Sequence, residues 1–167
     1  MGNYISIVIL GLAAIFQSTF LPQIRILGGR PDLVFLIVIA WSFNARLEEA
    51  VVWAFVGGIA QDLLSDAPTG TSVLGMLIII FAINGITRQL YRINLLFIAA
   101  VIFVGSLTQQ LIVMSIIALT GHQIDFVDNF SYVALPTVVY NLLAVWPIYW
   151  VIRRIQRRLT DTRRITL

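Results

Sequence analysis

The chain has 167 residues, of which 59% are hydrophobic and only 11% are charged. A soluble domain is usually about 45–50% apolar and about 25% charged, and a globule of this size could not bury so much apolar surface. A soluble cytosolic enzyme and an intrinsically disordered chain are therefore both excluded. The composition predicts an all-α integral membrane protein, with helices that each take about 20 residues to cross the bilayer.

Six apolar runs follow one another along the chain, separated by short links that carry charge, glycine or proline. Six spans would use about 120 residues and leave too little chain for a separately folded extramembrane domain. We therefore predict a compact six-helix transmembrane domain over residues 1–152 and a basic cytoplasmic tail over residues 153–167. The predicted spans cover residues 4–21, 31–44, 48–64, 70–87, 94–120 and 130–152.

The second apolar run, residues 33–43, is short for a membrane span. It needs flanking residues or a locally thin bilayer to cross the hydrocarbon region. An alternative therefore stays open, in which the chain has four or five spans and the second and third runs form a re-entrant pair.

The arginines predict the orientation, because short cytoplasmic loops are enriched in positive charge. Every basic residue is arginine. Because successive links between spans lie on opposite sides of the membrane, alternate links form two sets, one on each side. The set that includes the tail holds Arg46, Arg88, Arg92 and six tail arginines, whereas the other set holds only Arg25 and Arg30. This asymmetry predicts that both termini are cytoplasmic. It also argues against nucleic-acid binding, which needs a basic surface on a soluble face.

The C-terminal tail begins with four arginines at helical spacing. We expect the sixth helix to continue into the headgroup layer, where each arginine can contact anionic membrane lipid. A simple cytoplasmic stop signal explains the same residues, and a docking segment for a partner protein is a further alternative. The arginines are Arg153, Arg154, Arg157 and Arg158.

Acidic residues near the outer end of the third run are candidates for a functional role, because a charge in hydrocarbon is costly. Asp62 lies in this region, and Asp66 follows in the next link. One interpretation is that they cap the turn or the helix that comes next. The alternative is a contact with a partner or ligand, or an ion pair with Arg25 or Arg30 across the outer face.

Polar residues within the apolar runs form a second candidate site. Amides and hydroxyls at this depth must find partners inside the bundle. They either form hydrogen bonds between helices or line an intramembrane polar pocket. The residues are Gln17, Asn84, Ser106, Gln109, Gln110 and Asn141.

Two further patterns concern how the helices pack and where they sit in the bilayer. Gly57 and Gly58, with Ala54, would let a neighbouring helix approach closely. Tryptophans near the ends of the runs are typical of anchors at the membrane interface. The tryptophans are Trp41, Trp53, Trp146 and Trp150.

No residue set supports catalysis. The chain has one histidine, no cysteine and no lysine, so a zinc protease, a Ser-Lys dyad and a thiolate metal site are excluded. Nucleotide-binding motifs and paired intramembrane aspartates are also missing from the sequence. We therefore predict that the protein is not an enzyme and needs no cofactor or metal.

Residues 31–70 carry a motif in two parts. The first part is proline, aspartate and leucine at residues 31–33, and the second is G-x₃₋₄-D-L-L-S-x₂-P-x-G over residues 57–70. It resembles the rod shape-determining protein MreD family. The resemblance implies a structural or interaction role for the residues that match the motif positions, which are Pro31, Asp32, Gly58, Asp62, Pro68 and Gly70. Gly57 joins this candidate set because of the close helix packing expected of the glycine pair.

The resemblance also implies a function and a place in the cell. MreD proteins are non-catalytic scaffolds of the bacterial cell-elongation machinery in the inner (cytoplasmic) membrane. They bind MreC, a bitopic protein with a large periplasmic region, and are linked through it to MreB, RodA and the elongation transpeptidase. In this way they help to organise peptidoglycan synthesis and to maintain rod shape. Apart from the resemblance, self-association into a homo-oligomer is a further alternative for how the chain assembles.

The fold that the resemblance implies leads to a second functional hypothesis. MreD proteins are similar in fold to the six-helix substrate-binding components of energy-coupling-factor vitamin transporters. The chain could itself be such a component, with the polar residues around Gln109 and Gln110 binding a small solute.

Overall fold

The computed structural model describes residues 2–24, 29–65, 68–87, 94–120 and 125–165, and for residues 2–5, 24, 126 and 159–165 it describes the backbone alone. These residues form helices and no β-strand. A short 3₁₀ helix, Leu21–Ile24, follows α1, and a π-helical turn, Phe130–Ala134, joins α6 to α7. The α-helices are α1 (Gly2–Thr19), α2 (Leu33–Ser42), α3 (Leu47–Leu63), α4 (Thr71–Thr87), α5 (Leu95–Leu119), α6 (Phe126–Asn129) and α7 (Leu135–Ile165).

The fold is all-helical, as the composition predicts, and each predicted span contains one main helix. In the described part of the chain, three helical segments are long and apolar enough to cross a membrane: Ser6–Gln23, Leu95–Leu119 and Val127–Arg158. Helices α2 and α4 are apolar but shorter. The number of spans and the re-entrant alternative therefore stay predictions.

Helix α2 lies at the centre of the bundle. It packs against α1, α3, α4 and α7. A helix that is apolar on every side is buried on every side, and seven of its ten residues are buried. Its start is fixed by Asp32, whose side chain accepts a hydrogen bond from the Phe35 amide as an N-cap.

The other long helices surround α2 and contact one another in the order α1, α3, α4, α5 and α7. Their outward faces carry large apolar side chains, including Leu12, Phe81, Phe103 and Leu143, which are 64%, 55%, 45% and 69% exposed. In water, contiguous apolar surface of this kind would drive association. In a bilayer it lies against lipid chains, as expected for a membrane protein.

The tryptophans divide into two pairs with different environments. Trp41 and Trp53 are buried in the core and stack on each other, with ring centroids 3.8 Å apart. The prediction that all four tryptophans are interfacial anchors is therefore wrong for this pair, because each ring covers the other inside the bundle. Trp146 and Trp150 are exposed on α7.

Candidate functional site

Asp32 is a buried carboxylate at the junction of three helices. One carboxylate oxygen accepts hydrogen bonds from the Gln17 side chain on α1 at 3.2 Å and from the Phe35 amide at 3.1 Å. The other accepts from the Gln61 side chain on α3 at 2.7 Å. The carboxylate thus ties the first turn of α2 to both neighbouring helices, and three of its about four acceptor sites are used by the protein itself.

The backbone at the same position extends this network to α5 and α7. The Asp32 amide donates to Asn141 Oδ1 at 2.8 Å, and Asn141 Nδ2 donates to Ser106 Oγ at 2.9 Å. Gln17 Oε1 accepts from the Val34 amide at 3.0 Å, which satisfies a second free N–H at the start of α2. One connected set of hydrogen bonds therefore links α1, α2, α3, α5 and α7.

Asp62 is a second buried carboxylate, one residue after Gln61. It accepts hydrogen bonds from the Gly70 amide at 2.7 Å and from the Ser72 amide at 3.1 Å. These amides lie at the start of α4, where backbone N–H groups have no partner within the helix. Asp62 therefore caps α4 from the last turn of α3, which is the capping arrangement considered for this residue from the sequence.

The chain between α3 and α4 has the conformation that this cap requires. Gly70 has φ of +100°, a backbone conformation that other residues rarely adopt. The Thr71 hydroxyl donates to the Pro68 carbonyl at 2.7 Å, which closes the turn before the helix. Pro68 and Gly70 thus shape the turn that presents the α4 amides to Asp62.

The two glycines of α3 face different helices. A Cβ atom at Gly58 would lie 2.6 Å from the Val73 Cα on α4, and one at Gly57 would lie 2.8 Å from a Val38 methyl group on α2. Both distances are shorter than real Cβ contacts. The close approach expected of the glycine pair is thus present, and it brings Asp62 within reach of the α4 amides.

The structure brings together only some of the residues that were predicted to line a polar pocket. Gln17, Ser106 and Asn141 belong to the network around Asp32. No hydrogen bond connects the half-buried Asn84 and Gln110 side chains to this network in the described part of the chain. That these residues line one ligand pocket stays a prediction.

Gln109 is buried but separate from the network. Its side chain lies against Gly75 on α4, where a Cβ atom would overlap its amide oxygen. Among the described residues, neither side-chain polar atom of Gln109 has a hydrogen-bond partner. A buried amide without hydrogen bonds costs free energy, so we expect the polar group of Gln109 to lower the stability of the fold.

Other predicted contacts fall outside the network or outside the described residues. The structure shows no ion pair between Asp62 and Arg30 within the part of the chain it describes, because the Asp62 carboxylate faces α4. Arg25 and Asp66 lie outside the described residues. At the same end of the bundle, the Arg30 amide contacts the Thr137 hydroxyl at 3.4 Å.

Sequence reasoning missed Gln61, although it contacts Asp32. A signal was present, because Gln61 is a polar residue inside an apolar run and directly precedes Asp62 in the motif. It lies in a small cleft with Gln17 and Arg30, and the cleft has room for about one water molecule. The Gln61 Oε1 atom is buried and has no partner among the described residues.

The motif residues therefore meet in one place. Gln61 and Asp62, side by side on α3, hold the starts of α2 and α4, while Gly57 and Gly58 bring the helices together. The sequence model of the rod shape-determining protein MreD family matches residues 1–159 of the chain. The chain belongs to the MreD family. It is therefore a rod shape-determining membrane protein, and the resemblance read from the motif is confirmed.

Comparisons of the chain with curated proteins and with solved structures found no match. The expected fold similarity to the substrate-binding components of energy-coupling-factor transporters is therefore not shown. Asp32 and Asp62 accept hydrogen bonds from amides of the same chain, which is a helix-positioning role.

Proposed function

We propose that the protein is a non-catalytic scaffold of the bacterial cell-elongation machinery that binds MreC in the inner membrane. The observation that carries the proposal is the family match over residues 1–159. The chemistry of the site supports it, because both buried carboxylates bind amides of the protein itself. A site of this kind fixes the positions of helices, and a fixed surface is what a scaffold offers to its partners.

The arginine distribution supports a definite orientation. Nine of the eleven arginines fall on the predicted cytoplasmic side, so both termini face the cytoplasm in a multi-pass topology. The junction of Asp32 and Asp62 then lies towards the periplasm, the side on which MreC has its large domain. We propose that this junction keeps the periplasmic ends of α2, α3 and α4 in register for the contact with MreC.

Co-purification tests the proposal directly. Tagged full-length protein is solubilised from membranes in mild detergent, and MreC is detected in the eluate by immunoblotting. We expect MreC to co-purify with the wild-type chain, and we expect deletion of the gene to abolish rod shape. Absence of MreC from the eluate together with normal rods after deletion would overturn the proposal.

Photocrosslinking would identify the helix that contacts MreC. A photoreactive phenylalanine analogue is placed at one exposed position on each of the five outer helices, namely Leu12, Phe55, Phe81, Phe103 or Leu143. We expect crosslinks to MreC from one face or from two adjacent faces, because a single transmembrane helix covers only a limited width. A matched control at the buried position Trp53 should give none.

The same purified protein tests the transport hypothesis. Native mass spectrometry would detect a vitamin-like ligand bound at one copy per chain. Such a ligand, with no MreC in the eluate, would contradict the scaffold proposal and favour a solute-binding component. Bound MreC without a small ligand would support the scaffold.

A further inference from the structure

Helix α7 is longer than a membrane span. It has 31 residues, which corresponds to about 46 Å at about 1.5 Å per residue, whereas the hydrocarbon core is about 30 Å thick. Part of the helix must therefore lie outside the hydrocarbon core. Because charged side chains are costly inside that core, the excess lies at the arginine-rich C-terminal end, in the headgroup region or beyond it. This part contains Arg153, Arg154 and Arg157, and all three side chains are exposed.

The opposite side of the same segment is held against the bundle. Ile152 is buried, and Ile155 packs against the core. Gln156 donates a side-chain hydrogen bond to the Trp41 carbonyl at 3.0 Å, close to the end of α2. The arginines are thus presented from a docked helix, in fixed positions relative to the bundle.

Two tryptophans precede the arginines on the outward face. Trp146 and Trp150 are 55% and 62% exposed, and they are one turn apart. The Arg154 guanidinium lies over the Trp150 ring, 5.3 Å from the ring centroid, which is within cation–π range. At 100° per residue, Arg153 and Arg157 fall on the same side of the helix as these two tryptophans.

Along α7 the tryptophan rings come first and the arginines follow, just as the acyl chains of a phospholipid are followed by its phosphate. Tryptophan rings favour the boundary between acyl chains and headgroups, and arginine binds phosphate through paired N–H groups. Residues 153–167 contain six arginines and only one acidic residue, Asp161. The segment therefore favours an anionic headgroup over a neutral one. An acidic protein segment would explain the arginines but not the exposed tryptophans beside them.

We propose that the face of α7 formed by Trp146, Trp150, Arg153, Arg154 and Arg157 binds the headgroup of an anionic phospholipid. The lipid chain lies beside the tryptophans, and the phosphate contacts the arginines one turn further along. This interaction anchors the cytoplasmic end of the helix in the membrane. It does not depend on binding to MreC.

Fluorescence quenching in vesicles tests the proposal. The full-length protein is reconstituted in phosphatidylcholine vesicles that contain phosphatidylglycerol, with brominated chains on one of the two lipids at a time. Bromine quenches tryptophans that it contacts, and the buried Trp41 and Trp53 contribute little to the change. We expect brominated phosphatidylglycerol to quench more strongly than brominated phosphatidylcholine at the same mole fraction.

Substitutions and added salt show which groups cause the preference for phosphatidylglycerol. Each basic residue near an anionic surface contributes about fivefold to binding, so the R153Q/R154Q/R157Q variant should lose most of the preference. The control variant R46Q removes an exposed arginine from the start of α3 and should keep the preference for phosphatidylglycerol. Raising the salt from about 0.1 M to about 1 M should weaken the wild-type preference, because the Debye length falls from about 10 Å to about 3 Å.

Three results would overturn the proposal: equal quenching by the two lipids in the wild type, an unchanged preference in the triple variant, or an unchanged preference at high salt. The unfolding temperature in detergent shows whether the triple variant is folded. If it is not, the single variant R154Q and the salt dependence of the wild type provide the same test.

Discussion

The Gln61 side chain on α3 donates a hydrogen bond of 2.7 Å to the Asp32 carboxylate at the start of α2. The next residue, Asp62, accepts from amides at the start of α4. Two consecutive side chains in the last turn of α3 therefore fix the first turns of two other helices. Because the central helix α2 is only ten residues long, this junction determines much of its position.

Replacing Asp32 by alanine should strongly destabilise the protein. The change leaves the Gln17 side chain, the Gln61 side chain and the Phe35 amide without their acceptor. Each buried donor without a partner costs about 1–3 kcal/mol, so the free energy of unfolding should fall by at least about 3 kcal/mol. Unfolding in mixed micelles with increasing SDS would measure this.

The matched control for that experiment is Glu48→Ala, which removes an exposed carboxylate from the first turn of α3. It should change stability by no more than about 0.5 kcal/mol. Asp32→Asn should cost less than Asp32→Ala, because the Gln61 amide can rotate and present its oxygen. Equal stability of Asp32→Ala and Glu48→Ala would show that the network contributes nothing.

Asp62→Ala should be more damaging than Asp125→Ala, although both residues bind backbone amides. Asp125 is exposed and accepts from the Val127 amide at 3.1 Å. Loss of such a cap costs about 1 kcal/mol. Asp62 is only 3% exposed, so its removal leaves the buried Ser72 amide and the half-buried Gly70 amide without their acceptor.

We expect a lower unfolding temperature for the Asp62 variant, together with reduced recovery of MreC in the co-purification experiment. The Asp125 variant should recover MreC at close to the wild-type amount. Equally mild effects of the two substitutions on both measurements would mean that Asp62 acts only as an ordinary helix cap.

Gly58→Ala and Gly85→Ala should have opposite effects on stability. The new methyl group at Gly58 would overlap the Val73 backbone, which cannot move aside as a flexible side chain can. We expect a loss of about 1–3 kcal/mol there. A Cβ atom at Gly85, which is exposed on α4, meets nothing within 4 Å, and alanine favours helix formation by up to about 1 kcal/mol.

Thermal unfolding of the two purified glycine variants would measure this difference, and Gly58→Leu should show a larger loss than Gly58→Ala. If Gly58→Ala unfolds at the same temperature as Gly85→Ala, then α3 and α4 do not pack as closely as the structure shows.

Gln17→Met and Gln109→Met provide a test of buried amides with and without partners. Methionine is similar in length to glutamine and carries no amide. At Gln17 it removes the donor to Asp32 and the acceptor for the Val34 amide, so stability should fall by about 1–3 kcal/mol. At Gln109 it removes an amide without a partner among the described residues, so stability should stay the same or rise.

Denaturant titrations of these two variants should therefore give changes that differ in size and direction. A clear loss of stability in Gln109→Met would indicate that this amide has a partner such as a bound water molecule or ligand. In that case the polar-pocket prediction for Gln109 would gain support.

Much of the candidate site could be located from the sequence, because the motif identifies its members. The motif contains Asp32, Gly58 and Asp62, and the structure brings these residues to one junction. The partners of these residues could not be assigned. Gln17 and Asn141 are far from Asp32 in the chain, and only the packing of α1 and α7 against α2 brings them into contact.

Composition alone determined that the protein is a helical membrane protein, because so much apolar surface cannot be covered in a chain of 167 residues. The motif determined the family. Only the tertiary structure decided that the shortest apolar helix, α2, lies at the centre and that Trp41 and Trp53 pack on each other within the core. The physical reason is that hydropathy records how much of each helix avoids water and does not distinguish lipid from protein as the apolar neighbour.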